Sequence, residues 1–263
     1  MNLTTVRNKL TSGICEVINS SSNLDVCVLP GNRILTGHYS ALTIYDENLN
    51  EIIKIDKIED KILDNYGLAL SQNNFIYASS VTNNCIWKLN MELKLVKSFG
   101  SKGTNNESLW VPTGICCFGD SLYICDCNNK RIQILDLDLN YISTMGLDYC
   151  PHTIKVSSET IGICGYNETI NFYDLITKNL TKRYAGILGR ISAVESNFYV
   201  TSWKPSWRVY SFNNKGEKDH EIDMDRFKRY EFFQNTAGWD GLVFSFNKNL
   251  YITSYTKQKL LKF

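Results

Sequence analysis

The sequence predicts an all-β fold, a six-bladed β-propeller of four-stranded antiparallel blades, and three observations carry that prediction. Residues 111–146 hold four short apolar runs separated by turn residues, the make-up of one blade in about 40 residues. Weaker copies recur along the chain at spacings of roughly 38 to 51 residues, close to the period of blade repeats. Six copies fit the chain, and seven do not. One copy cannot bury its own faces, so each sheet must stack on its neighbours.

Within the best copy, Thr113–Cys117, Leu122–Cys125, Arg131–Leu135 and Tyr141–Met145 read as strands. Gly119-Asp120, Cys127–Lys130 and Asp136–Asn140 read as the turns between them. The other copies register on one apolar residue of the third strand: Leu42, Ile86, Ile132, Ile170, Val209 and Leu260. Around these anchors the second strands open at Arg33, Phe75, Leu122, Thr160, Phe198 and Leu250. The innermost strands are expected at Asp25–Leu29, Gly67–Leu70, Gly114–Cys117, His152–Val156, Ile191–Val194 and Leu242–Phe246. Fourth strands follow the first five copies at Glu51–Ile55, Leu95–Phe99, Tyr141–Met145, Leu180–Tyr184 and His220–Met224. The sixth copy reaches Phe263 just after its third strand, while residues 1–20 include a β-rich stretch, Ile14–Ile18. That stretch is expected to supply the missing outer strand and clasp the ring, because an unpaired edge is normally blunted. An open last blade is the alternative. Residues 1–263 then form one domain with no linker, since no Pro/Gly/Ser-rich tract or block of like charge interrupts the pattern.

A net charge of +1 argues against a general polyanion binder. No run of 18 apolar residues predicts a membrane span, and the N-terminus lacks the apolar core of a secretory signal. Nine cysteines, many in expected strands, indicate reduced thiols and a cytoplasmic setting. The wealth of Asn, Lys and Ile hints at an AT-rich genome, so the setting becomes a virion or a host cytosol if the source is a large virus. Cys116, Cys117, Cys125 and Cys127 do not have the paired spacing of structural zinc. They read as ordinary buried thiols, and no metal or other cofactor is expected.

The blade at 111–146 resembles an NHL repeat. The residues that carry the resemblance are Pro112, Gly114, Ile115, Leu122, Tyr123, Ile124, Asp126, Asn129, Arg131, Ile132, Gln133 and Ile134. It fades elsewhere: where Asp126 and Arg131 stand, the second blade has Ser80 and Cys85 and the sixth has Ser254 and Lys259, while the fifth keeps Arg208. The resemblance implies a six-bladed ring that holds proteins or RNA. Asp126 and Arg131 read as a brace for a tight turn rather than as catalysts.

In such a ring, the turns between second and third strands share one face with the links between blades. Those segments carry large aromatics, among them Trp110, Tyr166, Trp203, Trp207 and Trp239. Rings in loops offer contact area at low entropic cost. With Arg226 and Arg229 giving polarity, these are the expected anchors for a protein or peptide partner. Packing between blades is the plainer use for the same rings. The link 225–239 interleaves basic and aromatic residues, which also suits RNA. A structural subunit of a larger assembly is a further possibility, and the oligomeric state is not legible.

The enzyme alternative is a lactonase-like or lyase-like propeller with a site at the channel mouth. Of three histidines only His152 lies where an innermost strand begins. Candidate acids nearby, Glu16, Asp148 and Asp240, share no motif. A lone histidine cannot assemble a metal site or an acid–base pair unaided. The sequence therefore reads as a non-catalytic module.

Overall fold

A computed structural model describes residues 16–19, 23–38, 40–194, 197–204, 208–223, 241–244, 250–254 and 259–262. Strand β1 is Glu16–Asn19. The first blade is β2 (Asn23–Val28), β3 (Ile34–His38), β4 (Ala41–Tyr45) and β5 (Glu51–Ile55), followed by a small hairpin, β6 (Lys57–Ile58) and β7 (Lys61–Ile62). The second is β8 (Asn65–Leu70), β9 (Ile76–Ser80), β10 (Cys85–Leu89) and β11 (Leu95–Phe99). The third is β12 (Pro112–Phe118), β13 (Ser121–Asp126), β14 (Arg131–Asp136) and β15 (Tyr141–Gly146). The fourth is β16 (Pro151–Val156), β17 (Thr160–Gly165), β18 (Thr169–Asp174) and β19 (Leu180–Ala185). The fifth is β20 (Leu188–Val194), β21 (Asn197–Lys204), β22 (Arg208–Phe212) and β23 (Lys218–Asp223).

The protein is thus an all-β propeller of four-stranded antiparallel blades, with one 3-10 turn, Pro30–Asn32, among the described residues. Five complete blades stand where six were expected. The remaining strands, β24 (Gly241–Phe244), β25 (Leu250–Ser254) and β26 (Lys259–Lys262), form a further four-stranded sheet with β1. In it Glu16 lies opposite Lys262 and Asn19 opposite Lys259. No helix among the described residues is long and apolar enough to cross a membrane.

The core lies between the faces of neighbouring blades rather than inside any one of them. Leu35 and Leu42 of the first blade pack with Leu68 and Trp87 of the second. Ile86 of the second packs with Ile115 and Leu122 of the third, and Ile132 of the third with Ile154 and Ile161 of the fourth. Phe172 of the fourth meets Phe198 and Phe212 of the fifth, 5.4 and 5.0 Å between ring centres. Third-strand anchors Leu42, Ile86, Ile132, Ile170 and Val209 are all buried. Outer strands such as β5 and β15 are largely exposed. Truncating one anchor to alanine removes a fully buried branched chain, a loss of roughly 2 to 5 kcal/mol.

One local device recurs in all five blades. At the turn into the outer strand an Asp or Asn side chain (Asp46, Asn90, Asp136, Asp174, Asn213) accepts backbone N–H groups two and three or four residues on, at 2.7–3.0 Å. Near the end of each turn the backbone is left-handed, at Leu49, Leu93, Leu139, Lys178 and Gly216. A leucine there costs about 1 kcal/mol of backbone strain. Burying Leu93 and Leu139, which are 3% and 2% exposed, returns about 2 kcal/mol, so leucine outweighs glycine. In the fifth blade the same place is taken by the Phe172 ring, and Gly216 is required.

The Asp136 carboxyl is held below the ordinary carboxylate range. Partial burial works against its ionisation, but the Asn140 and Asp138 amides and nearby Lys97 outweigh that penalty. A depressed folded pKa contributes stability above the unfolded value of about 4, and that stability is lost as pH falls through the folded value. Asp136→Ala is expected to lose about 1 kcal/mol at pH 7 and to flatten the acid limb of the stability curve. Urea titrations of both proteins at pH 7 and pH 3 check this; equal losses at the two pH values would show the carboxylate charge to be idle.

Candidate functional site

The innermost strands approach so closely that two of them need glycine. A Cβ on Gly114 would stand 2.6 Å from Thr153 Cα, and one on Gly67 would stand 2.7 Å from the Thr113 carbonyl oxygen. Each of the first five innermost strands also shifts register near its start, and such bulges re-aim side chains. The axial channel is lined by Asp25, Tyr66, Thr153, Lys155, Arg190 and Ser192, among others.

At the start of β16, His152 is 3% exposed, and its Nε2 hydrogen-bonds the Tyr66 hydroxyl. The Tyr66 hydroxyl also meets that of Tyr166 at 3.2 Å, and the Tyr166 ring stands edge-on to His152 at 4.5 Å. The Arg190 guanidinium lies 4.7 Å from the centre of the Tyr66 ring. Three blades therefore converge on one cluster. Burial, with the Arg190 charge second, pushes His152 down to about 3 against a weaker pull from Gly189. The imidazole is neutral at physiological pH. Burial of the hydroxyl end, with Tyr66 beside it, raises the Tyr166 phenol, so it stays protonated.

Deeper in the channel, Asp25 accepts the Leu68 amide at 2.8 Å and its neighbour Val26 at 2.9 Å, tying the first blade to the second. Burial opposes the charge of Lys155, but Cys116, Asp25, Cys27 and Cys117 together raise its amine. Burial pushes the Cys27 thiol up to about 12 and raises that of Cys116. Among the described residues no group of three His, Cys, Asp or Glu side chains is placed to hold a metal ion.

A second feature presents Trp110. Asp126 is fully buried: one oxygen accepts Arg131 Nε and Asn129 Nδ2, each at 2.7 Å, and the other accepts the Trp110 amide at 2.7 Å. Arg131 also donates to the carbonyls of Thr104, Asn105 and Ser108 at 2.8–3.0 Å. The brace read from the sequence exists, but it secures the incoming loop 103–110 more than its own turn. In the second blade, Asp64 substitutes by accepting the Ser80 hydroxyl and the Thr82 amide. In the fifth, Arg208 instead pairs with Glu221 at 2.5 Å.

The expected partner residues divide sharply. Tyr166 and Trp110 are exposed, 48% and 37%, in a turn and a link that share one face. Lys102 caps the Trp110 ring at 5.5 Å. Trp203 does not stand in a loop: its backbone belongs to β21, which runs on to Lys204. Trp207, Trp239, Arg226 and Arg229 lie outside the described residues. Asp148 turns away from the channel to pair with Arg183 of the outermost strand β19, 3.3 Å apart. Glu16 is described only as part of strand β1, and Asp240 lies outside.

These features define a propeller, and structural comparison agrees. The chain is similar to a streptogramin B lyase structure, at 14% identity and TM-score 0.64, over 90% of this chain and 77% of that one. It is also similar to virginiamycin B lyase from Staphylococcus aureus, at 11% identity and TM-score 0.62, over 95% and 98%. The β-propeller domain of Cps50 (Swd1) from Myceliophteria thermophila aligns at 9% identity and TM-score 0.63, over 94% and 97%. Identities this low show the fold alone. No family model matches the chain, so the NHL resemblance stays with the blade at 111–146, and no curated protein matches it either.

Proposed function

We propose that this propeller is a non-catalytic interaction module that holds a protein or peptide segment on its aromatic face. The observation that carries the proposal is the pair of exposed rings, Trp110 and Tyr166, each anchored through its backbone amide on one face of a rigid ring. Exposed aromatics on a fixed scaffold make contact at low entropic cost. Trp203, Trp207, Trp239, Arg226 and Arg229 extend the same surface in this proposal. The sheet of β1 and β24–β26 acts as the sixth blade, closing residues 1–263 into one domain; β24 lies beside both β20 and β2, which supports this. A cytosolic setting fits the eight described cysteines, all of them free thiols.

The test is affinity capture with purified wild type and with the Trp110→Ala/Tyr166→Ala double variant, read by mass spectrometry. Proteins enriched by the wild type should be lost from the variant while its melting temperature stays within a few degrees. Undiminished capture by the variant overturns the proposal, and so does its unfolding, which would make the rings packing elements.

A lyase or hydrolase reading has less support. A base with a pKa near 3 is poorly matched to proton abstraction at neutral pH, and His152 is pinned between two tyrosines.

A further inference from the structure

Ile154 and Val156 of β16 pack with Ile132 and Ile161 in the core between the third and fourth blades. Alternate residues of a strand face opposite ways, so Thr153 and Lys155 turn from that core toward the axial cavity, which both of them line. Beside β16 runs β20, whose Ile191 amide donates to Thr153 Oγ1 at 3.2 Å. Arg190 and Ser192, on either side of Ile191, line the same cavity and are 8% and 7% exposed. Among the described residues Lys155 makes no hydrogen bond and no ion pair. Asp25 lines the cavity from β2, three blades along the ring. Each of its oxygens already accepts a backbone amide, from Val26 and Leu68. Taking an ammonium out of bulk water is costly unless an anion meets it.

We infer that this cavity is a binding site for one carboxylate group, held by Lys155 Nζ and the Ser192 hydroxyl, with Arg190 offering a further N–H. The Ser192 hydroxyl donates to the Tyr199 carbonyl at 3.4 Å, a long bond that it can exchange for a charged acceptor. A guanidinium carries several N–H donors, so Arg190 keeps its place over Tyr66 while it contributes one. The cavity gives about 20 Å³ to the centres of water-sized groups, against roughly 10–15 Å³ for one water. That admits the tip of a carboxylic acid and excludes a ring or a nucleotide. The carboxylate comes either from a free small acid or from an acidic side chain of a peptide entering past Tyr66 and Tyr166. The inference rests on the cavity and not on the proposed partner of the aromatic face.

The experiment titrates the 15N-labelled full chain with sodium formate and, at matched ionic strength, with sodium chloride. Formate is expected to move the amide signals of Lys155, Ile191 and Ser192 along a saturating curve. Its midpoint should be millimolar, because so few heavy atoms support no tighter binding. Lys155→Met removes the charge at similar side-chain length and should abolish the saturating shift. Ser192→Ala leaves every charge in place and should raise the midpoint about fivefold, the worth of one hydrogen bond. A second titration uses the blocked tripeptide acetyl-Gly-Glu-Gly-amide. If the same amides respond together with Tyr166, the carboxylate arrives on a peptide; if formate alone acts, the site serves a free small acid. Either response supports the site. Equal shifts with formate and chloride, which would be screening alone, overturn it whatever the capture experiment finds, and so do formate shifts that survive in Lys155→Met or are unchanged in Ser192→Ala.

Discussion

Replacing Arg131 with alanine is expected to remove about 3 to 5 kcal/mol of stability, the scale for breaking a buried ion pair by deleting one partner. Asp126 has no exposure, so its charge would remain in the interior with only amide donors. Three carbonyls of the 104–108 segment would lose their donor at the same time. Arg131→Lys keeps a positive charge but cannot reproduce a planar group that reaches one carboxylate and three carbonyls. It should retain less than half of the lost stability. Asp126→Asn should be milder than Arg131→Ala, because a neutral amide still accepts and no anion is stranded. Denaturant unfolding of the three variants tests the order. A loss under 1 kcal/mol for Arg131→Ala would show that the brace is ornamental. The same variant should accelerate hydrogen exchange at the Trp110 amide, connecting the brace to the aromatic face.

The brace shows where the sequence is informative. Asp126, Asn129 and Arg131 lie within six positions of one another, and local spacing reveals local chemistry. Strand positions were equally legible: apolar runs of fixed length between turn residues placed the fourth strands of the first two blades at the observed Glu51–Ile55 and Leu95–Phe99. The channel cluster was less so. Tyr66 and His152 are separated by 86 positions, and only blade geometry brings them together. Arg190 carries no signal in the apolar pattern, because β20 begins at Leu188, ahead of the apolar run at Ile191. The apolar run of β21 stops short of Trp203, although the strand itself extends to Lys204. In the second blade the carboxylate comes from Asp64, outside the repeat's own register. The repeat positions there hold Ser80 and Cys85, which carry no Asp/Arg signature. The sixth copy carries no Asp/Arg pair, and its weaker signal matches the step from five complete blades to a sheet joining the two ends of the chain.

His152 should make the protein sensitive to mild acid. Its folded value is about 3, against about 6.5 in an unfolded chain. Between those limits the unfolded state binds a proton that the folded state refuses. Stability therefore falls as pH drops from about 6.5 toward 3, by up to about 1.4 kcal/mol per pH unit from this group alone. Above about pH 6.5 the group contributes no slope. His152→Gln keeps a polar atom near Nε2 for the Tyr66 hydroxyl and does not titrate. The difference between wild-type and variant unfolding free energies, measured every half unit from pH 8 to 4, should be flat above about 6.5 and shrink steadily below it. A difference that is constant throughout would mean that the imidazole titrates alike in the folded and unfolded chains. Arg190→Gln supplies the second arm: with the guanidinium gone, the folded value of His152 rises toward the unfolded one, so the slope still begins near about pH 6.5 but ends at a higher pH. Burial remains after that substitution and is the larger cause, so only part of the slope should vanish. The groups facing His152 are two phenols and a cation, and together with burial they keep its imidazole neutral.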